Sequence, residues 1–416
     1  MRAVLAVALL ATAACRGKAH HDDVGSAAIG SGSGSSAAPS PSSASGIVPR
    51  LPPSIDAFDK MQAIDKRLPR LRSDDRQVGL FLATLLERAS IRGDLEDYLE
   101  ALDRSKAWSD KAPKEPEAWH WRVVALSRVH RFDDARAALA KLKRLVKDAS
   151  EWQGLEATID EATGHLERSQ PVRDAAVAME ASTSNLVQQA GGLAAAGKLD
   201  DALAIMPKAA AVVNSPSPEL FNYLLFQWGR IYELQGNMAA AREFFAEARR
   251  RLPTLESTTH LAQTMIATGD TAGAKQLVEA ELGSHRHPAL LGLAVQLGHG
   301  ELADEARAAW ERYVTALPLA FADHAARFYV GPGKDPARAL VLAKLNLANR
   351  DTHEARALVV EAALAAGDPK AACDAAAPLA AAGNPRADRF AAWKALSACG
   401  RHDEADRLAK DLGITH

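Results

Sequence analysis

Large apolar side chains are scarce in this 416-residue chain, where aromatics amount to 5% and alanine dominates the apolar share. So few large residues do not fill one globular core of this length; small ones suit helices packed closely side by side. Sustained period-two runs rich in Val, Ile and Thr are missing, which excludes a sheet architecture. Neither charge sign prevails: 50 Lys and Arg face 52 Asp and Glu, for a formal charge of −2. The pI near 6.7 gives no electrostatic footprint for nucleic acid. Catalytic constellations are absent too. GPGKDP at 331–336 superficially looks like a phosphate loop, but Asp335 replaces the required Ser or Thr, the leading glycine is misplaced and no strand precedes it. A turn between helices is expected there. His285, His287 and His299 lack the i, i+4 spacing of a helical metal site and are expected to be solvated turn residues. His20, His21, Asp22 and Asp23 are contiguous, and contiguous ligands seldom converge on one ion, so no metal site is expected there. The basic run Arg249 to Arg251 reads as a solvated cluster complementing a helix dipole. The chain is therefore expected to be no enzyme and to need no cofactor or metal.

What is present is a recurring phrase: a turn residue, four residues, then a small residue opening the next apolar stretch. It reads Gly197…Ala202, Gly236…Ala241, Gly269…Ala274, Gly367…Ala372 and Gly400…Ala405. His130…Ala135, Glu301…Ala306 and Lys334…Ala339 keep the register without the glycine, while Gly93…Tyr98 and Gly164…Ser169 keep the glycine. Most successive second anchors lie 32 to 34 residues apart. A period of this length means stacked two-helix units, each burying its apolar face only against its neighbours.

Residues 228–253, WGRIYELQGNMAAAREFFAEARRRLP, carry the clearest unit. Gly229 and Ala241 would let its helices approach, Tyr232 and Phe245 would fill the space between neighbours, and Pro253 would stop the second helix. At these offsets the unit resembles the tetratricopeptide repeat. Trp119 with Ala135, Trp310 with Pro318, and Pro385 mark further copies; Pro171 makes the unit after Gly164 the weakest. The resemblance covers residues 79–412, about ten units. It implies an all-α fold, a right-handed solenoid of tandem helix-turn-helix repeats, with function in the groove lined by the first helix of each unit. That register places Tyr223, Phe226, Arg230 and Glu233 on the groove in one unit, Phe321, His324 and Phe328 in another, and Phe390 with Lys394 in the last. Aromatics beside Arg or His favour binding hot spots. A one-residue shift of register would turn several of them into core. A Lys and Asn pattern for clamping a terminal carboxylate is not visible.

Arg2 precedes an apolar segment, Ala3 to Ala14, with the length of a signal-peptide core and too short for a stable bilayer span. LLATAAC, ending at Cys15, resembles a bacterial lipoprotein signal, which implies a lipidated Cys15 and outer-membrane attachment on the periplasmic face; an ordinary signal cleavage and a soluble exported protein stay open. The organisation read from the chain is a signal over 1–15, a Gly/Ser/Ala/Pro-rich tether over 16–54, a helical cap over 55–78 and the solenoid over 79–416. Of three cysteines, Cys373 and Cys399 remain to pair as a disulfide across two antiparallel helices, or to sit unpaired as buried small residues. The function expected is protein binding by a membrane-anchored scaffold; an accessory subunit that positions an envelope enzyme or binds a glycan is the alternative.

Overall fold

A computed structural model describes residues 46–414, so Cys15, the signal segment and most of the tether lie outside the described residues. A cap helix, α1 (Ala57–Arg72), precedes ten helix pairs: α2 (Val78–Arg92) with α3 (Leu95–Lys111), α4 (Pro116–Arg128) with α5 (Phe132–Leu145), α6 (Gln153–Ala162) with α7 (Leu166–Met179), α8 (Thr183–Ala195) with α9 (Leu199–Ala211) and α10 (Pro218–Gln235) with α11 (Met238–Arg251). The remaining five are α12 (Leu255–Ala267) with α13 (Thr271–Leu282), α14 (Pro288–Gln296) with α15 (Ala303–Ala316), α16 (Pro318–Val330) with α17 (Pro336–Asn349), α18 (His353–Ala365) with α19 (Pro369–Ala376) and α20 (Arg386–Ala398) with α21 (His402–Leu412). Each helix packs on the next, and the first helices of most units also pack on the first helix of the following unit. The chain is thus an α-solenoid, and no strand occurs among the described residues.

The recurring phrase now has a cause. The residue closing each first helix adopts the left-handed conformation, with Gly236 at φ 82° and Gly269 at φ 87°, and the anchor behind it is fully buried, as Ala202, Ala241, Ala274 and Ala339 are. Within α10 and α11 the close approach is literal: a Cβ on Gly229 would stand 2.7 Å from Phe245 Cε1. Pro171 is tolerated inside α7.

The solenoid is not open. It closes on itself about every 190 residues, so that one superhelical turn sits on the next. Gly93 lies against His287, His130 against Leu319, Gly164 against Asp351, and Gly197 against Pro385. In each case a turn inside a unit of the first superhelical turn meets a connection between units of the second. A Cβ on Gly164 would be 2.2 Å from the Asp351 carbonyl oxygen and one on Gly197 2.9 Å from Pro385 Cδ, whereas one on Gly236, Gly269, Gly367 or Gly400 would meet nothing within 4 Å. Carbonyls of the first turn are bonded by side chains of the second: His130 O accepts from Asn349 Nδ2 at 3.0 Å and Ala162 O from Arg350 Nε at 3.2 Å. His130 itself holds φ 56°, unfavourable for a side chain by roughly 1–2 kcal/mol, and its Nδ1 bonds Leu319 O at 3.1 Å.

Residues 48–54, assigned above to a free tether, are instead docked. Val48 and Leu51 pack on the core of α8 to α11, Ile55 N donates to Pro216 O at 2.8 Å, and Arg251 donates to Pro52 O at 2.7 Å. Arg251 is therefore no solvated member of a basic run: it is 8% exposed and lies over Phe221, because the strap's carbonyls reach the end of α11. Arg249 and Arg250 pair with Glu281 and Glu247. At the far end the structure joins Cys373 to Cys399, with Cα atoms 6.2 Å apart. In the chain-entropy model the bond contributes roughly 3 kcal/mol. Cys399→Ser is therefore expected to melt α19 to α21 ahead of the rest, read as early loss of amide protection confined to those helices; unchanged protection would contradict the assignment.

Candidate functional site

Closure converts the groove into a lumen of about 2150 Å³, lined by the first helices of the units. The lining follows the repeat register. Counting thirteen residues back from the turn residue gives Leu80, Glu117, Glu151, Ser184, Tyr223, Glu256 and Phe321, which line the lumen, while His285, Glu354 and Ala387 at the same position of the other three units do not. Ten residues back lie Ala83, His120, Phe226, Thr259 and His324, also on the wall. The side chains are placed by helical geometry: positions three and four apart share one face.

Of the residues expected on the groove, Tyr223, Phe226, Phe321, His324 and Phe328 line the lumen. Phe226 is also 4% exposed, its ring 5.4 Å from that of Phe245 and 5.2 Å from that of His260, so it serves wall and core together. Arg230 and Glu233 do not face the groove. They lie one and two turns further along α10, where the second superhelical turn covers it, and are buried in an ion pair with each other; Arg230 Nη2 also reaches Glu354 of α18 at 3.2 Å. Burial opposes ionisation of Glu233, but His260 Nδ1 at 3.0 Å and the Arg230 guanidinium outweigh it and hold the carboxyl down at about 2. Phe390 and Lys394 lie on the last unit, exposed and in contact with each other at 5.3 Å, outside the lumen.

Of the three histidines expected to be solvated, His287 is buried, and His285 and His299 are partly exposed turn residues that form ion pairs. His287 is 3% exposed because the Gly93 turn covers it, and burial pushes its imidazole down to about 3. His285 pairs with Asp94 across the same seam at 3.1 Å, and His299 bridges Glu279 and Glu301 at 2.8 and 2.9 Å. Burial also lowers His324, so the luminal imidazole is neutral near pH 7. No group of three metal-ligating side chains occurs among the described residues, and no described helix is long and apolar enough to cross a membrane.

The wall also includes residues without a site assignment from the sequence: Glu256 at the thirteen-back position, and Tyr98, Trp121, Asn185, Gln188 and Gln263 at other positions of their units. Glu256 stands out chemically. Burial raises its carboxyl to about 7, against the opposing pull of Arg128 and Arg230. A folded-state value above the unfolded one near 4.3 means that ionisation costs stability as pH rises from about 4 to 7. Glu256→Gln is therefore expected to raise the melting temperature by an increment that is nil at pH 4, grows to pH 7 and is constant above. An increment independent of pH would contradict the assignment.

No family model matches the chain, and no curated protein matches it. Solved structures that resemble it include the APC/C hetero-tetramer Cut9-Hcn1, at 13% identity over 86% of this chain and 67% of that chain with a TM-score of 0.49. Pseudomonas aeruginosa PilF is similar at 15% identity over 50% of this chain and 93% of that chain, TM-score 0.37. The human IFIT1 dimer with PPP-AAAA is similar at 16% identity over 76% of both chains, TM-score 0.42. Such distant likenesses carry nothing about function.

Proposed function

We propose that the protein is a non-enzymatic scaffold that holds a segment of a partner protein inside the lumen. The observation that carries this reading is the wall itself: aromatics such as Tyr223 and Phe321 and amides such as Asn185, Gln188 and Gln263 line about 2150 Å³. That volume exceeds the 300–1,000 Å³ of small-molecule sites at least twofold. Amides satisfy the backbone of an extended chain, and aromatics anchor its side chains at small entropic cost. In this reading Cys15 carries a lipid, the chain faces the periplasm from the outer membrane, and the remaining tether lets the solenoid work away from the bilayer.

The test is positional. A photo-crosslinking residue at Tyr223 or Phe321 should capture a discrete protein partner in the native host, while one at the exposed Lys141 on α5 should not. Equal capture from both positions would contradict luminal binding. The same aromatic and amide wall suits stacking on a sugar, which favours a second reading as a glycan-binding accessory of an envelope enzyme. Capture of glycan rather than protein from Tyr223 would select it. Mass spectrometry of the mature N-terminus decides the anchor: an unmodified Ala14 or Cys15 would remove it.

A further inference from the structure

The lumen runs from one edge of the superhelix to the other, because its wall includes connections from both. The connections between units of the first superhelical turn form one mouth, through Glu115, Glu151, Glu180 and Ser215. The turns inside units of the second form the opposite mouth, through Gly298, Gly331 and Lys334. Charge is divided between them. The first mouth, with the opening turns of α4 and α10, contributes Glu115, Glu117, Glu151, Glu180 and Glu219 to the wall, while Arg67 of α1 and Glu87 of α2 add one charge of each sign. Glu219 is tied to Lys60 of α1 at 2.6 Å; among the described residues Glu115, Glu117, Glu151 and Glu180 form no ion pair. The opposite mouth contributes Arg307, Arg327 and Lys334 against Glu361. Arg307 pairs with the exposed Asp304 at 2.6 Å and donates to the Gly333 carbonyl at 3.4 Å, and among the described residues Arg327 and Lys334 form no ion pair. Between the mouths, Arg128 at the end of α4 and Glu256 at the start of α12 place one basic and one acidic group at the waist.

We propose, building on the luminal reading above, that the lumen selects a charge-asymmetric polypeptide segment, with basic residues held at the glutamate mouth, an apolar and aromatic middle, and acidic residues held at the Arg307 and Lys334 mouth. Complementary charge at two separated rims fixes the direction of the occupant as well as its affinity, since reversal would bring like charges together at both ends. A segment of uniform charge satisfies one rim and is repelled at the other. The rims are exposed, so they act mainly on encounter and on choice of partner and weaken as salt rises.

The experiment uses the full chain and four synthetic dodecapeptides sharing one aromatic centre. One has lysines at one end and glutamates at the other, one has lysines at both, one has glutamates at both, and one is neutral. The bipolar peptide should bind about tenfold more tightly than either uniform one at low salt, with the advantage lost near 1 M salt. Glu115→Lys combined with Glu151→Lys and Glu180→Lys, all exposed positions, should move the preference from the bipolar peptide to the all-glutamate peptide. Equal affinities for all four peptides, or a preference untouched by the triple variant, would overturn the charge selection and leave luminal binding standing. Failure of all four to bind, the neutral one included, would overturn both.

Discussion

Gly164→Ala is expected to cost roughly 4 kcal/mol of stability, near the upper end of what single substitutions do. Gly236→Ala, at the same position of the repeat, is expected to cost only about 1–2 kcal/mol. Both glycines hold left-handed backbone, at φ 89° and 82°, so both lose by gaining a side chain. Only at Gly164 does the new Cβ meet the backbone of the neighbouring superhelical turn, 2.2 Å from Asp351 O, and a backbone carbonyl has no rotamer by which to step aside. The seam must part there. Gly164→Ala should therefore also raise the radius of gyration, and Gly236→Ala should not. Equal losses at the two positions would mean that the superhelical turns do not touch.

Arg230→Ala is expected to be comparably severe, about 3–5 kcal/mol, for a different reason. Arg230 is 1% exposed and sits between Glu233 of its own helix and Glu354 of α18. Truncation leaves carboxylates without their cation in a poorly solvated site. The same pair predicts an acid dependence. Because the folded-state value for Glu233 is depressed to about 2, below an unfolded value near 4.3, its contribution is present above pH 4 and is lost as pH falls from 4 toward 2. Urea titrations of the parent chain and of Glu233→Gln should converge over that interval. A gap between them that stayed constant from pH 6 to pH 2 would contradict the assignment.

The repeat itself was legible in the sequence because it is local. A small residue is needed wherever paired helices cross, and a left-handed residue wherever a first helix ends, so Ala241 and Gly236 mark their unit without reference to anything distant. Closure is not local. It depends on a small rotation per unit summed over six units, and no periodicity of neighbours reports that sum. This is why Tyr223 and Phe321, read from the register, line the lumen, while Arg230 and Glu233, on the same helix as Tyr223, lie where the second superhelical turn closes over the groove. A trace of closure is nevertheless written in the chain. His130 keeps a strained turn at a position where glycine is the rule, and it bonds a residue 189 positions away. Similarly, Arg251 was read as the end of a basic run, because nothing nearby shows that Leu51 and Pro52 bring carbonyls to it.

Closure of the superhelix underlies both the lumen and everything assigned to it, and one distance tests it. Lys198 and Arg386 are exposed, 188 residues apart in sequence, and flank the seam where Gly197 meets Pro385. Spin labels at these two positions, measured by double electron–electron resonance in a Cys15→Ser background with the Cys373 to Cys399 bond intact, should give one narrow distribution at the short limit of the method. A broad distribution centred on long distances, as an open solenoid would give, would contradict closure and with it the lumen.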